Sequence, residues 1–227
     1  MLSVHSFLAR LFAPFVVRGA GRAAAMLARF ARTELGSSLV MRWAAAATES
    51  PERRAAYLRH ALDEERHARF FAARARKLGA PPRPFVADAD DVFRLLGERR
   101  FVAFVQRAEA RGEREFAAYE REFRAAGDTK TAAVFALVLR DERRHVEYSK
   151  GLFAELGVAR TTLAWVTAWE AVRAAQRAAS AVLDVLHFSV MFALYAALLP
   201  FSLVARLRSR GRRTREVPAR SAALLER

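Results

Sequence analysis

A five-residue pattern, Asp-Glu-x-Arg-His, occurs twice in this 227-residue chain, as Asp63-Glu64-Glu65-Arg66-His67 and as Asp141-Glu142-Arg143-Arg144-His145. Residues three apart on an α-helix share a face, so Glu64 with His67, and Glu142 with His145, each present a carboxylate and an imidazole to the same side. Each pair is a two-ligand metal clip. The chain holds only five His and 17 Glu, so one such pair would mean little. Two copies in which Asp, Glu, Arg and His all recur in register are not expected from chance. The competing reading is two solvated, charge-laced helix faces.

A helical bundle that holds two iron ions this way needs one further Glu from each of two other helices. The chain is suited to supply them: it is Ala-rich, has 10 Gly and 7 Pro, and shows no alternating run of β-branched residues, so an all-α fold is expected. Its length can bury a full core, and one domain with an appendage is the simplest organisation. Cysteine is absent. That excludes disulfides, thiolate zinc sites, iron–sulfur clusters and an in-chain rubredoxin-type centre, leaving His and carboxylate as metal ligands. The formal charge is +15, but 36 of the 39 basic residues are Arg and three are Lys. Such an Arg and Ala excess can follow from GC-rich coding. No basic-aromatic platform or DNA-binding motif accompanies it, so nucleic-acid binding is not expected.

Four long helices can be read in order. From about Gly21 to Ala47, the residues Leu27, Phe30, Ala31, Glu34, Ser38 and Met41 recur at helical steps, which puts the acid Glu34 on an apolar stripe. A carboxylate there must be paired, protonated or bound to a cation; alone, Glu34 would fit a solvated face equally well. Ser50-Pro51-Glu52 starts a second helix that runs to about Leu78, with Tyr57, His60, Glu64, His67 and Phe71 inward. His60, one turn before Glu64, is expected behind the ligands rather than among them. A third helix is expected from about Asp90 to Ala126, with Glu109 embedded in its apolar stripe, Glu113 as the fallback acid and Gly112 beside them. Gly127-Asp128 opens a fourth that runs to Leu156, with Phe135, Val138, Glu142, His145 and Ser149 on one face. Glu34 precedes Glu64 by 30 residues and Glu109 precedes Glu142 by 33. The pattern is a duplicated helix pair. The Gly- and Pro-rich stretch from Gly79 to Pro84, with the acids to Asp91, divides the halves and is long enough for a crossover between the second and third helices.

On these motifs, residues 21–157 resemble the ferritin-like di-iron carboxylate superfamily, which includes rubrerythrins, ferritins and bacterial di-iron oxygenases. The resemblance implies a ferritin-like four-helix bundle with a long crossover between helices two and three. It implies two Fe ions, with a Mn/Fe pair using the same donors. Glu64 and Glu142 would bridge the metals as the catalytic carboxylates, while Glu34 with His67 and Glu109 with His145 would complete the two ends. Asp63 and Asp141 would stand behind the ligands, accepting hydrogen bonds from their imidazoles. The activity implied is that of a non-haem di-iron oxidoreductase using O₂ or peroxide. Lacking a cysteine iron centre, such a protein would take electrons from an external donor or from substrate. Iron handling, by ferroxidase or sequestration, is the alternative, although +15 suits an acidic mineral-nucleating cage poorly. A non-catalytic helical scaffold is a third. A homo-oligomer is expected.

Apolar segments flank the bundle. Residues 1–20 form an amphipathic segment that would lie on a membrane or on the bundle, with 158–215 a helical extension and 216–227 a tail. The extension is strongly apolar from Val185 to Ala205 and is followed by Arg206, Arg208, Arg210, Arg212, Arg213 and Arg215, which would suit an anionic lipid surface. Monotopic or hairpin attachment at the cytoplasmic face is expected, with a helix packed on the bundle as the alternative. Such a surface would give an apolar or membrane-derived substrate a route to the metals. Pro200 should kink or end the helix, and Asp184 with His187 should form a buried pair rather than a third clip.

Overall fold

Ser50 begins the helix that carries the first clip: its hydroxyl accepts from the Arg53 amide at 3.2 Å, Pro51 fills the first turn, and Arg74, Arg76 and Lys77 occupy the last. This computed structural model describes residues 13–81 and 89–215, and no strand occurs among them. Its elements are α1 (Ala20–Ala47), α2 (Pro51–Lys77), α3 (Val92–Leu96), α4 (Glu98–Ala125), α5 (Thr129–Glu155) and α6 (Arg160–Arg215). Asp128 caps α5, accepting from the Thr131 amide at 3.0 Å and its hydroxyl at 2.6 Å, while Arg74 of α2 reaches the same carboxylate at 2.8 Å. Gly127, at φ 81°, supplies the left-handed turn between α4 and α5.

The pairwise contacts fix the helix directions. α1 with α2, and α4 with α5, are hairpins joined by three residues each. Across the hairpins, His60 meets Tyr148 and Arg74 meets Asp128, so α2 and α5 are antiparallel. Thr48 meets Glu98 and Phe30 packs on Phe116, so α1 and α4 are antiparallel too. It follows that α2 and α4 run the same way. The chain must therefore return the length of α2, about 40 Å at 1.5 Å per residue, between Lys77 and Glu98. The Gly- and Pro-rich stretch expected to form a crossover falls there; residues 82–88 within it lie outside the described residues.

One expected helix is two. Instead of a single element from Asp90 to Ala126, the chain breaks at Gly97, whose φ of 71° and ψ of 160° no helix contains. A side chain rarely adopts that φ. Asp91 caps the short α3, accepting from the Arg94 amide at 3.0 Å. The break lets Phe93 pack on Tyr57 and Phe101 at 6.4 and 5.2 Å between ring centroids.

The core is layered along the bundle axis. One aromatic comes from each long helix, Phe30, Phe71, Phe116 and Phe135, and neighbouring rings lie 5.1 to 5.8 Å apart. Tyr57, Phe93 and Phe101 form a second aromatic layer nearer the other end, bolted by Glu98, which accepts from Thr48, Arg53 and Tyr57. On α2 the clip lies between Tyr57 and Phe71, and on α5 it follows Phe135.

The chain divides into two compact units, residues 1–167 and 168–227. Within the first, Ala13, Val16 and Val17 pack on the aromatic core, so the described part of the N-terminal segment lies on the bundle; residues 1–12 lie outside the described residues. Val158 and Val166 close over Ala103, and Arg100 stacks on Trp165 at 4.4 Å. In the second unit α6 runs through Pro200 rather than ending there. It is long and apolar enough to cross or lie on a membrane by length and composition, and Phe188, Phe192 and Phe201 are each at least 70% exposed. Asp184 and His187 are exposed as well, so the expected buried pair does not form.

Candidate metal centre

The embedded acids and both clips converge between the two aromatic layers. Glu34, Glu64, His67, Glu109, Glu142 and His145 are all buried, none more than 9% exposed. Two groups of donor atoms form, His60 with Glu64, Glu109 and His145, and Glu34 with Glu64, His67 and Glu142; within each group all atoms lie within 4.8 Å of one another. These buried His/Glu clusters can hold metal ions. The fallback acid Glu113 instead faces outward, 3.5 Å from Arg143, so Glu109 is the inward residue of α4. Gly112 leaves room beside the cluster, since a Cβ there would already stand 3.5 Å from Glu142 Oε2.

The halves are related by an offset of 78 residues, and each clip is completed by the other. His67 Nε2 lies 3.2 Å from Asp141 Oδ2, and His145 Nε2 lies 3.2 Å from Asp63 Oδ2. His67 Nδ1 lies 3.3 Å from Glu142 Oε1, and His145 Nδ1 lies 3.3 Å from Glu64 Oε1. A carboxylate can only accept, so in the neutral ring each Asp keeps the proton of its histidine on Nε2 and turns an Nδ1 able to ligate into the cluster. Both Nδ1 atoms, together with Glu142 Oε1, are buried without a hydrogen-bond partner. Buried acceptors are seldom left unpaired. Those three atoms are the ones a cation would satisfy, so this donor set fits metal binding.

The motif arginine also has a task. Arg66 reaches Asp63 and Asp141 at 2.6 and 2.7 Å, and its counterpart Arg144 reaches Asp141 at 2.6 Å. The pair neutralises two acids that back the histidines. Asp63 is held down at about 2, first by its bond from His145 and then by Arg66 against the cost of burial; Asp141 is also lowered, its bonds from Arg66 and His67 outweighing burial.

Among the inner acids, charge is divided unevenly. Burial and then the neighbouring carboxylates push Glu34 and Glu142 well above the usual carboxylate range. Glu64 and Glu109 go the other way: against burial, the neighbouring Glu34, His145 and His60 pull Glu64 down, and His60 and His145 hold Glu109 at about 2. Burial and mutual repulsion thus favour the neutral form of two of the four packed carboxyls and the imidazoles favour the charged form of the other two.

His60 lies deeper than expected. Its Nε2 is 2.9 Å from Glu64 Oε1 and 3.4 Å from Glu109 Oε1, and its Nδ1 is 2.6 Å from the Tyr148 hydroxyl. Sequence reasoning passes over Tyr148, Arg66 and Arg144. The signals are present all the same: Arg recurs within the duplicated motif, and Tyr148 stands three residues after His145, on the same helical face.

Compared with protein-family models, curated proteins and solved structures, the chain matches none.

Proposed function

We propose that this protein is a ferritin-like four-helix bundle with a non-haem di-iron centre, and that it works as an oxidoreductase consuming O₂ or peroxide. The observation that carries the reading is the pair of buried, partnerless Nδ1 atoms, each tied from behind by an Asp of the opposite clip and facing a carboxylate of the same cluster. Oxygen and imidazole donors of this kind suit Fe, or a Mn/Fe pair. Two such ions, when bound, supply two-electron reduction of O₂ or peroxide.

The chain's own residues do the rest. Asp63 and Asp141 hold the His145 and His67 rings with their Nδ1 atoms inward. Glu64, which belongs to both donor groups, would hold the metals together with Glu142, Glu34, Glu109, His67 and His145. A cation would offset the burial and repulsion that push Glu34 and Glu142 toward the neutral form, and the Phe30, Phe71, Phe116 and Phe135 layer keeps bulk water out on one side. Electrons come from an external donor or from substrate, since no cysteine is present for a second iron centre. The exposed apolar stretch of α6, which ends in an Arg-rich run, supports attachment at the cytoplasmic face of a membrane and an apolar substrate class.

Metal content of the protein purified without added metal, measured beside a Glu64→Ala/Glu142→Ala variant, tests the reading. About two irons per chain, lost in the variant, is the expected result. No iron after anaerobic ferrous reconstitution, with the variant equally stable, would remove it. Rapid ferrous oxidation that never couples to an organic substrate would assign iron handling instead.

A further inference from the structure

The 78-residue offset maps Asp63, Glu64, Arg66 and His67 onto Asp141, Glu142, Arg144 and His145, but it maps His60 onto Val138 and Tyr148 onto Phe70. Two polar residues at the cluster are therefore present in one half only, and those two residues touch. Val138 is a fully buried apolar side chain, so one half of the cluster has hydrocarbon where the other has an imidazole. The His60 ring stacks on His145 with centroids 3.8 Å apart, and its Nε2 belongs to the same compact donor group as Glu64, Glu109 and His145.

We propose that the two metal positions are inequivalent, His60 Nε2 being a second protein nitrogen ligand at the Glu109/His145 position, with Tyr148 as the residue that positions it. This rests on the di-metal reading above. For Nε2 to offer a lone pair, the ring proton must sit on Nδ1, where it donates to the Tyr148 oxygen; ligating histidines are commonly fixed by such a partner on the other nitrogen. Burial and the nearby acids keep the Tyr148 phenol protonated well beyond its ordinary range, so its oxygen acts as a neutral acceptor. The Glu34/His67 position has no counterpart to His60 and is the more oxygen-rich of the two. By ligand preference the nitrogen-richer position favours metals later in the divalent series, which sorts unlike ions between the two positions.

The competing role for His60 is as an Nε2–H donor to Glu64, steadying a carboxylate shared by both metals. The two roles separate in a Co(II) titration of the full chain followed by absorption and calorimetry. Two resolved binding steps are expected, with His60→Gln weakening one at least tenfold and leaving the other within about twofold. Tyr148→Phe should weaken the same step to a smaller degree. Two equal steps in the native protein, or a His60→Gln variant that loses both steps together or neither, would overturn the proposal while leaving the di-metal reading intact. No Co(II) bound to the native chain would overturn both. A readout independent of any variant's folding is the Mössbauer spectrum of native protein loaded with ⁵⁷Fe(II): two ferrous doublets of equal area are expected, and a single doublet would refute inequivalence.

Discussion

Asp63 on α2 accepts the Nε2 proton of His145 on α5 at 3.2 Å, and Asp141 on α5 returns the same contact to His67 on α2 at the same distance. Neither clip is complete within its own helix. The Asp of each motif serves the His of the other, which explains why Asp recurs next to Glu in both copies. The crossed pairs also tie α2 to α5 at the level of the cluster.

Replacing Asp63 or Asp141 with Asn keeps the shape and removes the charge that fixes the Nε2–H tautomer. Each substitution should cost about 10- to 100-fold in metal affinity. Ferrous or Co(II) titration checks this, and an unchanged affinity would make the crossed pairs purely structural.

Stability of the metal-free protein should peak in mild acid. Glu64, Glu109 and Asp63 have lowered folded values, so their contribution is present above the unfolded range of about 4 and is lost as pH falls below it, for Glu109 and Asp63 toward about 2. Glu34 and Glu142 have raised folded values, so the unfolded chain releases their protons first and stability falls as pH rises above about 4.3. His145, held charged up to about 12 by its acid partners despite burial, adds to that fall above about 6.5, while His67, pushed down by burial, opposes the fall only below about 6.5. Metal takes the place of the Glu protons, so stabilisation by Co(II) should grow with pH. Denaturant titrations between pH 4 and pH 8, with and without Co(II), would expose a flat response as a contradiction.

Phe135 is fully buried against Phe30, Phe71, Phe116, Tyr119 and Phe123. Phe135→Ala should destabilise by about 3 to 5 kcal/mol, whereas the exposed Leu137→Ala on the same helix should stay within about 0.5 kcal/mol. Urea unfolding of the two variants gives the comparison.

Full-length protein should float with vesicles that contain anionic lipid. A Phe188→Asp/Phe192→Asp variant, altered at two of the most exposed aromatics of α6, should remain with the soluble fraction and keep its metal content. Equal flotation of both proteins would mean that α6 does not hold the membrane.

Most of the cluster is legible in the sequence because its spacing is local. Glu64 and His67 share a face through the pitch of one helix, and Glu34 and Glu109 stand out as acids on apolar stripes; all are buried in one place. The Gly97 break is hidden because periodicity carries through a single residue, while the backbone at φ 71° does not. His60 reads as lying too far back for a different reason. One turn from Glu64 is compatible with either role, and only the neighbouring α4 and α5 bring Glu109 and Tyr148 to its two nitrogens.

The sequence by itself determined that the chain is helical, that two Glu-x-x-His clips exist, and that two further acids lie on inward faces. These follow from the 3.6-residue period and the cost of burying charge, which act within one helix. Only the tertiary structure decided which aspartate backs which histidine, that Arg66 and Arg144 cover the crossed pairs, and that one half of the duplication carries an extra imidazole into the cluster. Those relations depend on the packing register of helices that are dozens of residues apart in sequence, and no local spacing encodes it.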